Sequence, residues 1–142
     1  SVDFVDLNMG CPLDLVCNKG AGASLMLHNN KLQNSLIGMV NSLGDIPVTI
    51  KMRTGWDTTK PLAHALVPKI VRSWGVAPSA VFVHGRSRLQ RYQKAALWDY
   101  VISQVAPAQT EIPLVGNGDI FSFQDYKTNV LDVLEDNTTD DN

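Results

Sequence analysis

Four short apolar, β-branched runs punctuate the chain at residues 4–8, 48–52, 80–84 and 112–117. Their starts lie about 44, 32 and 32 residues apart, and the segments between them carry helical spacing. Leu32, Leu36, Val40 and Leu43 mark one face of a helix, with Asn29 or Asn30 as its cap and Gly44 as its end. Leu62, Leu66, Ile70 and Trp74 mark a second. Pro61 suits its first turn, and Pro68 predicts a kink or a late start. Trp98, Ile102 and Val105 predict a shorter third helix that stops near Pro107. Ser122 followed by Asp125 resembles a capping box and opens a fourth, through Val130 and Leu134. A fourfold strand–helix alternation predicts an α/β fold with a parallel sheet covered on both faces and right-handed crossovers.

Two parallel architectures compete, a doubly wound sheet and a (β/α)8 barrel. Each apolar run ends in polar or reactive groups: Asn8 and Cys11, Lys51 and Arg53, His84 and Arg86, Asn117 and Asp119. Four consecutive strands sending such groups to one rim is barrel behaviour. An open sheet gathers its ligand groups at a single switch point. The expectation is therefore a partial TIM barrel of about four βα units over residues 1–134, half the full number. The chain starts at Ser1 without a Met, inside what already reads as a strand, so an internal piece of a larger protein is expected. Residues 135–142 read as a polar, acidic tail without structure.

The rim residues carry the chemistry. Cys11 sits between Gly10 and Pro12, in a turn rather than a core strand, which favours a working thiol over an apolar filler. A thiol there can donate a proton, or act as a nucleophile once a base or cation draws its proton off. Cys17 lacks such a frame and reads as structural. In TIKMRTG, alternation puts Ile50 and Met52 on one face and Lys51 and Arg53 on the other, facing a barrel interior. A buried lysine needs a partner, and an anionic ligand or flavin is a natural one. The alternative is that both cations lie past the strand end, in water. His84 precedes Gly85 and a basic loop with Arg86, Arg88, Arg91, Tyr92 and Lys94, a set suited to phosphates or to plain solvation. Gly116 and Gly118 flank Asn117 and let a ligand approach the backbone. Gly20 and Gly22 do not directly follow a strand, so they fail the dinucleotide fingerprint.

Composition narrows the classes further. Hydrophobic residues make up 44% of 142, which describes a globular chain with a sizeable core. There is no apolar run long enough to span a bilayer, so no membrane partner is expected. A net charge of −2 argues against strong nucleic-acid binding by this segment alone. Two cysteines without a CxxC pair argue against a metal site and read as reduced intracellular thiols; a location in the cytoplasm, and also the nucleus, is a separate expectation.

Taken together, DLNMGCP, GAGASLM, VTIKMRTG, VHGRSRLQRY and PLVGNGDI, in that order, resemble the tRNA-dihydrouridine synthases. The HGRSRLQRY string is most similar to the eukaryotic subfamily that modifies the variable loop of tRNA. The resemblance implies a (β/α)8 barrel holding FMN, reduced by NADPH, with a further helical domain that grips tRNA. It implies hydride transfer to C6 of a uracil and protonation at C5 by Cys11. Lys51 and His84 match residues near the flavin, and Asn117, Gly118 and Asp119 match a cradle toward its ribityl phosphate end. Arg53 and Arg86 match positions that approach flavin or substrate. Leu97 and Ala21 depart from the usual acid and glycine at those places. Two other readings stay open: an inert truncated piece that acts only through interactions, and a flavin barrel that reduces a free pyrimidine.

Overall fold

The computed structural model describes residues 2–139. Four strands, β1 (Val5–Met9), β2 (Val48–Arg53), β3 (Ala80–His84) and β4 (Leu114–Asn117), form one sheet. All three pairings are parallel, and the spatial order β1-β2-β3-β4 follows the chain. A doubly wound sheet reverses its order part-way; here every new strand joins the same edge, which is how a barrel wall grows. The architecture is a partial (β/α)8 barrel.

The register separates two faces. Leu7, Ile50 and Val81 share one row on the helix side, and Met9, Met52 and Val83 share the next. Met9, Ile50, Met52, Val81 and Val83 have no exposed surface. They pack on α2 (Asn29–Leu43), α3 (Ala63–Ser73) and α4 (residues 98–108), through Leu32, Leu36, Val67, Ile70, Val101 and Val105. A short first helix, α1 (Asp14–Cys17), precedes them in the chain. Burying each such side chain contributes about 1.5–3 kcal/mol. On the opposite face Asn8, Lys51, Phe82 and Val115 align in one row, and Arg53, His84 and Asn117 in the row nearer the strand ends.

Several boundaries differ from the sequence expectation for identifiable reasons. β4 begins at Leu114 rather than residue 112. The Gln109 amide, 2% exposed, bonds both the N–H and the carbonyl of Ile112, so that residue already has its partners. α2 takes His28 as its N-cap, with Asn29 and Asn30 inside the first turn, and ends at Gly44 with φ 59°. α3 starts at Ala63 and runs through Pro68, so its start is not delayed. Its first N–H groups are met by the Thr54 carbonyl, for Leu62 and Ala63, and by the Tyr100 hydroxyl, for His64.

α4 contains a wide π-type turn at Val101–Val105. Val101 rather than Ile102 lies on the buried face beside Trp98 and Val105. α5 (residues 123–139) opens on the expected capping box, with Ser122 Oγ accepting from the Asp125 N–H at 3.2 Å. The tail expected to lack structure from Glu135 is helical as far as Thr139; residues 140–142 lie outside the described residues.

Candidate active site

The backbone of the loop after β1 is held at Gly10 and Cys11. Asn8 Oδ1 accepts from the N–H of Gly10 at 3.0 Å and of Cys11 at 3.2 Å. The Cys11 carbonyl accepts from the Ala23 N–H at 2.9 Å and from the Cys17 thiol at 3.5 Å. Gly22, at φ 56°, presses against Cys11 from below; a Cβ there would stand 2.7 Å from the Cys11 carbonyl oxygen. Cys11 thus has a pinned backbone and a free, partly exposed thiol, while Cys17 is free and buried. No disulfide joins them.

Lys51 pairs with Asn8 across the β1–β2 register. It is half-buried and makes no hydrogen bond or ion pair among the described residues. Arg53, one pleat further, is only 2% exposed. Its Nε donates to the Gly10 carbonyl at 2.7 Å, and Nη1 donates to the carbonyls of Ser87 and Arg91 at 3.1 and 2.7 Å. The Tyr92 ring lies 5.4 Å from the guanidinium. Burial lowers the Arg53 pKa. Arg53 therefore ties the loop after β1 to the loop after β3.

His84 ends β3, faces the same side, and lies level with Arg53 and Asn117 in the register. Burial is the largest cause that pushes its pKa down, to about 4, and the cations Arg53, Lys51 and Arg86 add to it against Asp119. The imidazole is uncharged near neutral pH. Arg86 pairs with Asp119 at 2.7 Å, and Asp119 also accepts from the Ala96 N–H at 2.7 Å. Burial works to raise the Asp119 pKa, but the Ala96 N–H and the Arg86 guanidinium carry it below its ordinary value. Arg86 and Asp119 thus hold each other, and the Asp119 carboxylate is already engaged.

Asn117 presents a buried Oδ1 with no hydrogen-bond partner. Gly118 sits at φ 122° against the His84 ring. Two adjoining cavities share His84, Tyr92 and Asn117. One, of about 510 Å³, is lined by Asn8, Cys11, Lys51 and Arg53. The other, of about 840 Å³, runs along β4 past Val115 and Phe121. Cys11, Lys51, His84 and Asn117 therefore converge on one space, although they come from four separate strand ends. Tyr92, 73% exposed, lines both cavities, whereas the sequence places it in a basic loop suited equally to phosphates or to plain solvation. Its exposure beside Arg53 has no sequence signal.

Residues 1–140 match the family model described as dihydrouridine synthase.

The chain belongs to the dihydrouridine synthase family.

Among similar proteins, the tRNA-dihydrouridine(47) synthase [NAD(P)(+)] of Cryptococcus neoformans is 48% identical over 133 residues, which is 88% of this chain and 18% of that protein. The tRNA-dihydrouridine(47) synthase [NAD(P)(+)]-like proteins of Xenopus laevis and Homo sapiens are each 52% identical over 124 residues. Those alignments cover 87% of this chain and 19% and 18% of the relatives. This dihydrouridine synthase chain therefore spans about a fifth of the length of the curated relatives it matches. Among the described residues, no three His, Cys, Asp or Glu side chains group to hold a metal ion, and no helix is long and apolar enough to cross a membrane.

Proposed function

We propose that this chain supplies part of the active site of a tRNA-dihydrouridine synthase, which reduces the C5–C6 bond of a uridine in tRNA using FMN and NADPH. The observation that carries the reading is the convergence of Cys11, Lys51, His84 and Asn117 on one cavity, at strand ends of a partial barrel. The names of the relatives support the tRNA substrate and the nicotinamide reductant.

The residues present fit a flavin. An isoalloxazine ring is flat and apolar on its faces, with acceptors and one N–H on its pyrimidine edge. Phe82 and Val115 offer apolar surface in the row beside Lys51. Lys51 offers an unpaired cation to an electron-rich edge, and the orphaned Asn117 Oδ1 awaits a donor. When bound, the flavin supplies the hydride for C6 of the uracil. Gly118 leaves room for the His84 ring, whereas Asp119 acts on Arg86 rather than on a ligand.

Cys11 completes the reduction. Addition of hydride at C6 leaves carbanion or enolate character at C5, which an acid must quench. The Cys11 S–H donates that proton, and the thiolate regains one from water. The pinned backbone of Cys11 holds the donor in place. The target base reaches this rim only when it leaves its stack. Tyr92, exposed over the buried Arg53, forms the neighbouring wall that the incoming base meets.

The test is Cys11→Ala in the intact protein. Dihydrouridine formation in tRNA should be lost while flavin absorbance is kept. Equal product from the variant would remove Cys11 from this role. Reduction of free uridine as readily as tRNA would favour a free-pyrimidine reductase instead.

A further inference from the structure

Arg86 is fixed on three sides. Its Nε and Nη2 donate to the Lys94 carbonyl at 2.9 and 2.6 Å, and Nη2 reaches both Asp119 oxygens at 2.7 and 2.9 Å. The fork that remains, Nη1, lies 3.2 Å from His84 Nε2. Both residues are 8% exposed, so water does not compete freely for this contact. A guanidinium has five donors, no acceptor, and does not give up its proton in proteins. The ring nitrogen that faces it can only accept. The imidazole proton must then sit on Nδ1.

Gly118 packs against the same edge. A Cβ at Gly118 would stand 2.9 Å from His84 Cδ2 and 3.1 Å from Nε2, so that edge of the ring faces the loop after β4. Nδ1 lies on the opposite edge, and it has no hydrogen-bond partner among the described residues.

We propose that Arg86 is a positioning residue: by donating to Nε2 it holds His84 in its Nδ1–H tautomer, so His84 offers the site a hydrogen-bond donor. The site then selects a ligand with an acceptor at that point, a ring carbonyl or an unprotonated ring nitrogen. That ligand class rests on the flavin reading above; the tautomer does not. The charged groups around the ring are Lys51 and Arg53 from β2, Arg86 from the loop after β3, and Asp119 from the loop after β4. Three cations against one carboxylate oppose a second ring proton. Asp119 acts one step further out, because its carboxylate aims the guanidinium. Free imidazole side chains favour the Nε2–H form in water, so the opposite tautomer is a specific consequence of Arg86.

Long-range 1H–15N correlation spectra of the 15N-labelled full chain test this. The chain has three histidines, and His84→Gln assigns the signal. Near neutral pH, His84 should show a protonated Nδ1 and a lone-pair Nε2. An Nε2–H signal, or fast exchange between the two forms, overturns the proposal. Arg86→Met should release His84 to the Nε2–H form, and Arg86→Lys should keep Nδ1–H in part. If Arg86→Met does not fold, Asp119→Asn keeps the guanidinium but frees it, and should lower the Nδ1–H fraction. An unchanged tautomer in Arg86→Met, or in Asp119→Asn where Arg86→Met does not fold, also overturns the proposal. Flavin titration of the intact protein carrying the same substitutions separates the two readings. Nδ1–H without flavin binding supports the tautomer and removes the cofactor reading, whereas Nε2–H with flavin binding does the reverse.

Discussion

Arg53 Nε donates to the carbonyl of Gly10 across 2.7 Å, joining the end of β2 to the loop that carries Cys11. With its bonds to Ser87 and Arg91, this one side chain satisfies three carbonyls on two loops. Arg53→Met would leave those acceptors without a donor. Buried acceptors left so cost about 1–3 kcal/mol each, less where water enters. Urea unfolding should show a loss of about 3 kcal/mol, with Arg53→Lys recovering only part because an ammonium lacks the fork. A loss under about 1 kcal/mol would mean that the two loops are held by something else.

Two glycines should respond in opposite directions. Gly22→Ala places a methyl 2.7 Å from the Cys11 carbonyl at a φ of 56°. It should destabilise the fold by more than about 1 kcal/mol and alter the alkylation rate of Cys11. Gly38 lies inside α2, and a methyl added there would meet nothing within 4 Å. Gly38→Ala should stabilise by about 0.5–1 kcal/mol in a thermal melt and leave thiol reactivity alone. The same sign for both would contradict the packing described around Cys11.

His84 predicts a pH dependence. Its pKa lies near 4 in the folded chain, below the ordinary 6.5. Between those values the unfolded chain binds a proton that the native state refuses. Stability is therefore greatest above about pH 6.5, falls as pH drops toward about 4, and then levels off for this group. The shift corresponds to roughly 3 kcal/mol at most. Denaturation midpoints of wild type and His84→Gln across pH 4–7 check it. The wild-type slope should be the steeper, and parallel slopes would contradict the depressed value.

Gln109 offers a fourth test. Its amide closes both polar groups of Ile112 before β4 begins. Gln109→Leu keeps the volume and removes the bonds, so a loss of about 2 kcal/mol is expected in thermal unfolding. Gln109→Glu should fall between the two, since it retains an acceptor for the Ile112 N–H.

Much of the fold was legible because it depends on local pattern. β-branched runs and helical spacing marked all four repeats, and Ser122 with Asp125 marked a real cap. The barrel reading rested on polar strand ends, and the consecutive strand order agrees with it. What pattern could not show is which partner a polar side chain takes across the fold. Arg53 and Arg86 read as ligand contacts from their positions, yet each is committed to protein groups from another loop. Asp119 likewise binds Arg86 and the Ala96 N–H. The wide turn in α4 was invisible for a related reason. Both Val101 and Ile102 fit a helical face with Trp98 and Val105, and only packing against the sheet selects Val101.

Because each strand lies beside the one synthesised before it, the sheet can be assembled in the order in which the polypeptide leaves the ribosome. Every pairing closes a loop of similar, moderate length, and none waits for a distant segment. Such a layout lets a nascent chain build its wall one unit at a time.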